Sequence, residues 1–358
     1  MGISVGAFVK IALVNGNPGW GGGEQWFLDA SEALARRGHD LTLAAWSEGP
    51  LFQRSVRSGK KTYALRSLPQ VLLDHKPHVV LCNNGRDLRR VLKAGGVHPL
   101  SFRVVLRRGI DRPLKDTIFR RPSWKSLSTI LVNSDATKGT VERSLPWFPK
   151  DRIQRLYNPV AFTPLSRVAG TEGTFRFGAA GRLVKQKGFD LLLRAFARMD
   201  ASLACTLEVA GEGKQRSRLE KLHRRLNLGA RCRLLGHVRD MPSFYARLDG
   251  LVMPSWYEGF GFAAVEAALA ELPVLASEVS SLPEIVDHEE TGLLVPPGDV
   301  AALVRAMENL VGRGDRGRSL GAEARRRALQ RFDPETLQDE LNWFLVKAAE
   351  LPPVAEGL

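Results

Sequence analysis

The sequence predicts an α/β protein built from two successive doubly wound domains. Short continuous apolar runs alternate with helical patterns, which is typical of parallel sheets covered by helices on both faces. The alternation lapses at 159–173 (PVAFTPLSRVAGTEG), a stretch rich in Pro, Gly, Ser and Thr, and then restarts. A chain of 358 residues is too long for one ordinary core. We therefore expect one domain at 1–160 and a second at 174–333.

The first half carries six strand-like runs: VKIALV (9–14), LTLAAW (41–46), HVVLC (78–82), RVVL (103–106), STILVNSDA (128–136) and RIQRLYNPV (152–160). Helical patterns lie at 24–37, closed by Gly38 in the position that glycine favours after a helix, and at 86–94. The stretch between 46 and 78 is less regular.

The second half repeats the alternation. Its strand-like runs are FRFGAAG (175–181), TLEVAGEG (206–213), CRLLGHV (232–238), LDGLVMPS (248–255), PVLAS (273–277) and GLLVPP (292–297). Helices are predicted at 189–199, 214–226, 241–247, 300–310, 322–331 and 334–349, the last with Pro334 in its first turn.

The composition is that of a globular protein, with 44% apolar and 25% charged residues. No run of about 18 apolar residues occurs, so a spanning helix is not expected. The apolar start, MGISVGAFVKIALVNGN, lacks a basic beginning and is interrupted by Lys10, so we expect a buried first strand rather than a signal peptide. Cys82, Cys205 and Cys232 have no metal-ligand spacing, which favours buried thiols in a reducing compartment and no structural metal.

The chain is strongly basic, with 52 Lys and Arg against 38 Asp and Glu and a formal net charge of +14. Such an excess is compatible with nucleic acid, an acidic membrane surface or phosphorylated ligands. It is equally compatible with arginine-rich, solvated helix faces.

The stretch SWYEGFGFAAVEAALAELPVLAS (255–277) places Glu258 before a Gly-Phe-Gly turn and Glu266 inside the helix that follows. Backbone amides at a helix N-terminus favour an anion such as a phosphate. Glu266 is expected about six residues into the helix, roughly 9 Å along its axis. The two carboxylates could therefore accept hydrogen bonds from hydroxyl groups on either side of a bound diphosphate.

A second stretch, GAAGRLVKQKGFDLLLRAF (178–196), places Arg182 after a strand and Lys187 before a helix. Both cations are expected at the carboxyl edge of the sheet, where they could neutralise a leaving diphosphate. Ligands of doubly wound folds collect at this edge, and with two domains the natural site is a cleft between them.

A third stretch, NGNPGWGGGEQWFLDASEAL (15–34), has a glycine cluster between a strand and a helix. It could form a phosphate cradle or a backbone platform. Counted from Gly21, it does not fit G-x-G-x-x-G, because Trp26 occupies the position of the third glycine. It is not a Walker A loop either, because no GK[ST] follows. A dinucleotide oxidoreductase is thereby disfavoured.

Together these motifs resemble the retaining GT-B-fold glycosyltransferases of family 4, also called glycosyl transferases group 1. The matching segments are E-x7-E with its GFG, GRLVKQKGFD, VAGEG (209–213), GGGE (21–24), RLLGHVRDMPSFY (233–245) and SSLPEIVDHEETGLLVPPGD (280–299). The resemblance covers nearly the whole chain and is stronger in the second half. It implies two Rossmann-like domains facing across a cleft, with a C-terminal helix in 334–358 crossing back to the first, acceptor-side domain.

The resemblance also implies a UDP-, GDP- or ADP-sugar donor, bound mainly by the second domain without a metal. Catalytic roles would fall to Arg182 and Lys187, which would hold the diphosphate, and to Glu258, which would bind the transferred sugar. The remaining donor-binding residues would be Gly22, Gly23, Val238, Met241, Gly259, Phe260, Gly261, Phe262 and Glu266. Glu266 would take the ribose hydroxyls, and the backbone near Val238 and Met241 would meet the base.

One departure concerns the acceptor side. Many members carry a histidine after the fourth or fifth strand of the first domain, whereas RVVLRRGIDRP (103–113) has none. Arg107, Arg108 or Asp111 is the candidate for that place. His98 lies before the strand and is expected at the surface.

The same region is the most basic of the chain: 103–125 holds eight Lys and Arg against two Asp, with Phe119 and Trp124 interleaved. It could hold a phosphorylated or lipid-linked glycan or sit on an anionic membrane. A solvated loop is the alternative.

We therefore expect a retaining glycosyltransferase of cell-surface glycan synthesis (lipopolysaccharide, capsule or glycolipid), cytoplasmic or peripheral at the inner membrane face. A GT-B sugar-nucleotide epimerase or a phosphorylase is the enzymatic alternative. A nucleic-acid-binding protein is more remote, since no such motif occurs and the cations concentrate in one loop; we expect no nucleic acid partner.

Overall fold

The computed structural model describes residues 8–96, 101–168 and 173–351, with the side chains of 315 and 316 left out. His98, part of the 159–173 stretch and the end of the 334–358 segment lie outside the described residues. The chain divides into two compact units. Unit 1 is Met1–Pro159 with Pro334–Leu358, and unit 2 is Val160–Asp333.

Unit 1 contains seven strands and seven helices among its described residues. The strands are β1 (Lys10–Asn15), β2 (Asp40–Ala45), β3 (Thr62–Ala64), β4 (Val79–Cys82), β5 (Arg103–Arg108), β6 (Thr129–Val132) and β7 (Ile153–Arg155). The helices are α1 (Gly22–Arg36), α2 (Pro50–Arg57), α3 (Leu68–His75), α4 (Gly85–Gly95), α5 (Arg121–Lys125), α6 (Asp135–Ser144) and, from the C-terminal segment, α13 (Pro334–Glu350).

The unit 1 strands form a parallel sheet in the order β3-β2-β1-β4-β5-β6-β7. In β1, Ile11 and Leu13 join one hydrophobic cluster, whereas Ala12 and Val14 join another. Because successive side chains of a strand point to opposite faces, the sheet is buried on both sides. This explains why its strands read as continuous apolar runs.

Helix α13 packs against unit 1. Leu337, Leu341 and Leu345 recur at four-residue spacing and are buried in the same cluster as α1. At the rim, the Arg37 guanidinium contacts the Asp339 carboxylate at 2.6 and 2.9 Å. The C-terminal helix therefore belongs structurally with the N-terminal strands, as the resemblance implies.

Unit 2 has six strands and, among its described residues, six helices longer than one turn. The strands are β8 (Phe175–Ala180), β9 (Cys205–Ala210), β10 (Cys232–Gly236), β11 (Gly250–Met253), β12 (Val274–Ser277) and β13 (Gly292–Val295). The helices are α7 (Phe189–Phe196), α8 (Arg216–Arg225), α9 (Met241–Ala246), α10 (Phe262–Leu269), α11 (Val300–Gly312) and α12 (Asp315–Arg331).

The unit 2 sheet is also parallel, in the order β10-β9-β8-β11-β12-β13. From β8 the chain runs outward through β9 and β10, then returns to place β11 on the other side of β8. The order thus reverses between β8 and β11, and the loops that follow these two strands diverge at that point. Ligands of open α/β sheets bind at such a switch point.

The predicted fold is confirmed. The sequence predicts too few helices and strands in the less regular stretch between 46 and 78. Residues 47–77 contain α2, β3 and α3, and the second half of unit 1 contains α5 and α6 in addition. These elements are short or lie at the sheet edge, where apolar periodicity is weak. Helix α12 also begins at Asp315, seven residues before the predicted 322.

Along the described ranges of the chain, the structure contains no helix long and apolar enough to cross a membrane.

Candidate functional site

The two loops at the β8/β11 switch point of unit 2 are joined by backbone and side-chain contacts. The Trp256 N–H donates to the Gln186 carbonyl at 2.8 Å, and the Gln186 side-chain amide donates to the Tyr257 carbonyl at 2.9 Å. Gly188 has φ +64°, and a Cβ there would lie 1.9 Å from the Pro254 carbonyl oxygen. Glycine is therefore required where the loops cross, which fixes the position of neighbouring Lys187.

Lys187 and Glu258 meet in this junction. The Lys187 ammonium lies 2.7 Å from Glu258 Oε1, and the Ser255 hydroxyl donates to the same oxygen at 2.7 Å. Glu258 is only 3% exposed. Its second oxygen makes no hydrogen bond to any residue that the structure describes. The carboxylate is thus fixed through one oxygen, which leaves the other for an added donor.

Arg182 follows β8 directly and is exposed. Its guanidinium makes no hydrogen bond or ion pair within the described ranges. The structure therefore brings Lys187 and Glu258 together but places Arg182 on the same β8 loop without a protein partner. A solvated guanidinium on a switch-point loop can turn toward an anion at little cost in lost contacts.

The turn before α10 presents a helix N-terminus. Gly261 has φ +104°, and its carbonyl accepts from the Ala264 and Val265 amides at 2.9 and 3.2 Å. Helical geometry leaves the first two amides, those of Phe262 and Ala263, without partners inside the helix. Phe260 is buried, and its carbonyl accepts from the Ser281 hydroxyl at 2.5 Å. The turn therefore supplies a rigid, positively polarised backbone beside Glu258.

Glu266 lies four residues beyond Phe262, the first residue of α10. The sequence predicts a position about six residues into the helix. Glu266 Oε2 accepts from the Tyr245 hydroxyl at 2.8 Å. Burial raises the pKa of Glu266 above its ordinary value, and the hydrogen bond from Tyr245 partly opposes this rise. Its Oε1 makes no hydrogen bond to the residues described. Like Glu258, this carboxylate is fixed by one oxygen.

Val238 and Met241, predicted to present backbone to a base, flank the start of α9. Both are half-buried. The Asp240 carboxylate caps α9 by accepting from the Ser243 N–H at 3.0 Å. Tyr245 lies on the same helix, so α9 connects this segment to Glu266.

In unit 1 the switch point falls between β1 and β4. Gly22 and Gly23 form the first turn of α1 there, with Gly21 as N-cap and no side-chain cap. A Cβ at Gly23 would lie 3.6 Å from the Asn83 side-chain amide and 3.9 Å from the Arg107 guanidinium. The glycine cluster thus places backbone close to polar side chains at the carboxyl edge of the sheet.

Arg107 is a buried cation at this edge. It donates to the Asn158 side-chain oxygen at 2.8 Å and to that of Asn83 at 3.4 Å, and its guanidinium lies 4.3 Å over the Trp26 ring. Burial lowers the pKa of Arg107 to about 10, an effect that the Glu24 charge opposes. No carboxylate of the described residues lies within ion-pair distance of it. Such a desolvated charge marks a candidate functional position.

Arg108 and Asp111 contact other residues, although the buried Arg108 Nε has no hydrogen-bond partner among the described residues. Arg108 donates to the Arg112 carbonyl at 2.7 Å, and the Thr140 hydroxyl donates to Asp111 at 2.6 Å. Burial lowers the pKa of Arg108. Of the three acceptor-side candidates, Arg107 alone lies beside the glycine cluster.

Sequence reasoning missed five residues that shape these two edges: Glu24, Asn83, Asn158, Ser255 and Tyr245. Asn83, Asn158 and Tyr245 meet their partners from distant segments, so no local motif marks them. Ser255 and Glu24 make short-range contacts, with Glu258 and with Asn15 and Asn17 respectively. Asn83 was the most accessible to prediction, because it directly follows a buried strand.

The switch point of unit 2 presents charged side chains and backbone amides. Nowhere in the described part of the chain do three or more His, Cys, Asp or Glu side chains converge as metal ligands. The three cysteines are buried and unpaired. What the switch point offers is a lysine, an arginine, a helix N-terminus and two anchored carboxylates, which together suit a diphosphate flanked by hydroxyl groups.

The fold is that of the GT-B glycosyltransferases. The chain superposes on Anabaena HepE, whose crystal structure contains UDP-glucose, with a TM-score of 0.79 at 20% identity, covering 95% of this chain and 100% of that one. It superposes on the lipopolysaccharide outer core galactosyltransferase WaaB with a TM-score of 0.78 at 18% identity, covering 94% and 99%. At these identities the likeness establishes the fold.

Residues 174–313, most of unit 2, match the family model of the Glycosyl transferases group 1. Over 342 residues the chain is 27% identical to LpsE, a lipopolysaccharide core biosynthesis glycosyltransferase of Rhizobium meliloti, covering 89% of this chain and 94% of LpsE. Other matches are partial. The chain spans 44% of the capsular polysaccharide glycosyltransferase CapM of Staphylococcus aureus and 23% of an exopolysaccharide phosphotransferase of Streptomyces coelicolor.

Proposed function

We propose that the protein is a retaining glycosyltransferase of family 4. It moves a sugar from a nucleotide-diphospho-sugar to a hydroxyl group of an acceptor. One observation carries the proposal: Lys187 and Glu258 meet at the β8/β11 switch point beside the N-terminus of α10. A cation, a helix N-terminus and an anchored carboxylate within one junction match a sugar joined to a diphosphate.

In this proposal the donor lies along the carboxyl edge of unit 2. Lys187 and Arg182 hold the diphosphate, and the free oxygen of Glu258 accepts from sugar hydroxyls. Glu266 accepts from the ribose hydroxyls through the oxygen that Tyr245 does not occupy. The backbone near Val238 and Met241 contacts the base.

Departure of the diphosphate is the step that the protein assists. As the glycosidic bond breaks, negative charge grows on the leaving oxygen, where Lys187, Arg182 and the α10 amides stabilise it. The acceptor hydroxyl attacks from the same face and gives its proton to the departing diphosphate oxygen, so the anomeric configuration is retained. We do not assign Glu258 the role of nucleophile: Lys187 and Ser255 hold one of its oxygens, and the other is assigned to the sugar hydroxyls.

The acceptor binds to unit 1. It is an intermediate of cell-surface glycan synthesis, since LpsE and CapM are described as enzymes of lipopolysaccharide core and capsular polysaccharide biosynthesis. Gly22, Gly23 and Arg107 are the unit 1 groups that we assign to the reaction. The basic region 103–125 suits a phosphorylated or lipid-linked glycan. We place the protein in the cytoplasm, where nucleotide sugars are made and buried thiols such as Cys82 stay reduced.

Turnover measurements on point variants test the assignment. UDP-, GDP- and ADP-sugars are first screened by thermal shift, since a bound donor raises the melting temperature. With the donor so found, Lys187→Ala or Arg182→Ala should lower kcat by about a hundredfold or more, the cost of removing one charge-stabilising group. Lys185→Ala is the matched control, because Lys185 is exposed on the same loop.

Two results would contradict the proposal. Near-normal turnover in either variant would remove the proposed leaving-group role. Product analysis also separates the alternatives: an epimerase converts the donor without an acceptor, and a phosphorylase releases a sugar phosphate.

A further inference from the structure

A turn between β5 and α5 holds two apolar side chains in solvent. Ile118 is 79% exposed and Phe119 is 86% exposed. The N–H groups of Arg120 and Arg121 both donate to the Thr117 carbonyl at 2.8 Å, which places the apolar pair at the middle of the turn. We call residues 117–120 the apolar turn. Turn centres favour Pro, Gly, Asn and Asp, and neither side chain gains burial, so local folding does not account for the pair.

The base of the apolar turn is fixed. The Asp116 carboxylate accepts from the Arg121 guanidinium at 2.6 and 3.2 Å and from the Trp147 indole at 2.8 Å. On the same side, the Trp124 indole donates to the Lys115 carbonyl at 3.3 Å. The turn is therefore held out by its neighbours rather than being a loose loop.

Helix α5 fixes this base to the core of unit 1. The Trp124 side chain is buried, and a Cβ at Gly85 would lie 2.9 Å from its ring. Glycine at the start of α4 thus lets α5 pack closely. The residues on both sides of the apolar turn are thus tied to unit 1.

Exposed cations lie on the segments next to the apolar turn. They are Arg86 and Arg89 on α4, which packs against α5, and Arg112, Lys115 and Arg121 near the turn. Residues 103–125 hold eight Lys and Arg against Asp111 and Asp116. The segment that carries the apolar pair is therefore net positive.

We propose that the apolar turn inserts into the headgroup region of an anionic lipid bilayer and docks unit 1 on that surface. Apolar side chains flanked by cations combine burial at the acyl boundary with attraction to anionic lipids. Only two apolar side chains project, from a single turn, which suits lipid insertion better than the broad, closely packed patch of a protein interface. This inference goes beyond the proposed reaction and does not depend on it.

Vesicle flotation with the full chain tests the docking. Binding is expected to vesicles containing about 30 mol% phosphatidylglycerol and not to pure phosphatidylcholine, and to weaken as NaCl is raised. The double variant Ile118→Ser/Phe119→Ser should lower the partition coefficient at least tenfold. Leu73→Ser is the matched control, because Leu73 is 66% exposed on α3 of the same unit.

Site-specific fluorescence tests insertion itself. All three native cysteines are buried, so a thiol-reactive, environment-sensitive dye is directed to the thiol of a Phe119→Cys variant. Its emission should shift to the blue on addition of phosphatidylglycerol vesicles. The same dye on a Leu73→Cys variant should show no shift.

Several outcomes would overturn the proposal. These are no binding to anionic vesicles, equal binding by the double variant, or an unshifted Phe119→Cys probe. Self-association without vesicles that the double variant abolishes would assign the turn to a second copy of the chain instead. Donor thermal shifts are measured without lipid, so failure here is distinguishable from failure of the glycosyl-transfer proposal.

Discussion

Replacing Tyr245 by Phe removes one hydroxyl group from a buried pair. Tyr245 is fully buried, and its hydroxyl lies 2.8 Å from the Glu266 carboxylate. A hydrogen bond to a charged group contributes about 1.5–3 kcal/mol. If Glu266 accepts from the nucleotide ribose, Tyr245→Phe leaves that carboxylate less well oriented. We expect the dissociation constant of the bound nucleotide to rise about tenfold, the lower end of that range.

The pH dependence of the nucleotide affinity distinguishes this effect from a general loss of structure around Tyr245. Burial already raises the pKa of Glu266, and the Tyr245 hydrogen bond opposes the rise. Without the hydroxyl, the pKa of Glu266 rises further, so a larger fraction is protonated at any given pH. Because a protonated carboxyl accepts less well from hydroxyl groups, the loss of affinity should be greater at pH 6 than at pH 8.

Titration calorimetry at the two pH values measures the effect. Tyr63→Phe is the matched control, because Tyr63 is exposed in unit 1. In a Glu266→Gln background, Tyr245→Phe should no longer add a pH-dependent loss. Unchanged affinity at both pH values, or a pH effect that survives in the Glu266→Gln background, would refute the role assigned to this pair.

Two further predictions concern the framework. Gly188→Ala should lower both the melting temperature and donor binding, because the added Cβ would lie 1.9 Å from the Pro254 carbonyl oxygen at a φ of +64°; a wild-type thermal shift with donor would contradict this. Leu341→Ala should destabilise unit 1 by about 2–5 kcal/mol, since it empties a buried α13 position beside α1. Denaturant unfolding checks this, with exposed Trp343→Ala as the neighbouring control; equal stability of the two variants would mean that α13 does not hold unit 1 together.

Most of the fold was predictable because parallel strands buried on both faces leave a plain apolar signal. Ile11, Ala12 and Leu13 show why: consecutive residues all face a core, on alternate sides. The α2–β3–α3 region lacked that signal. Its strand has three residues, and Tyr63 at its centre is exposed at the sheet edge.

The candidate site was predictable only where function leaves a local pattern. Glycines at positive φ, as at Gly188 and Gly261, and charges beside strand ends are visible in sequence. The contact between Lys187 and Glu258 was not, because it depends on β11 returning beside β8. Tyr245 was invisible for the same reason: the partner of Glu266 comes from another helix.

The structure distinguishes between neighbouring residues that the sequence alone does not, and Arg107 is an example. Three neighbouring residues were candidates for the missing acceptor-side histidine. The structure gives Arg107 a place beside Asn83 and the α1 glycines, whereas Arg108 contacts Arg112 and Asp111 contacts Thr140. Which group meets the acceptor stays a prediction.

The β8/β11 junction is proposed to bind a nucleoside diphosphate. Calorimetric titration of UDP, GDP and ADP, in turn, into the wild type, Lys187→Ala and Lys185→Ala tests it most directly. One nucleotide is expected to bind the wild type and Lys185→Ala equally, and Lys187→Ala at least about tenfold more weakly. Binding of none of the three, or equal binding to Lys187→Ala, would contradict it.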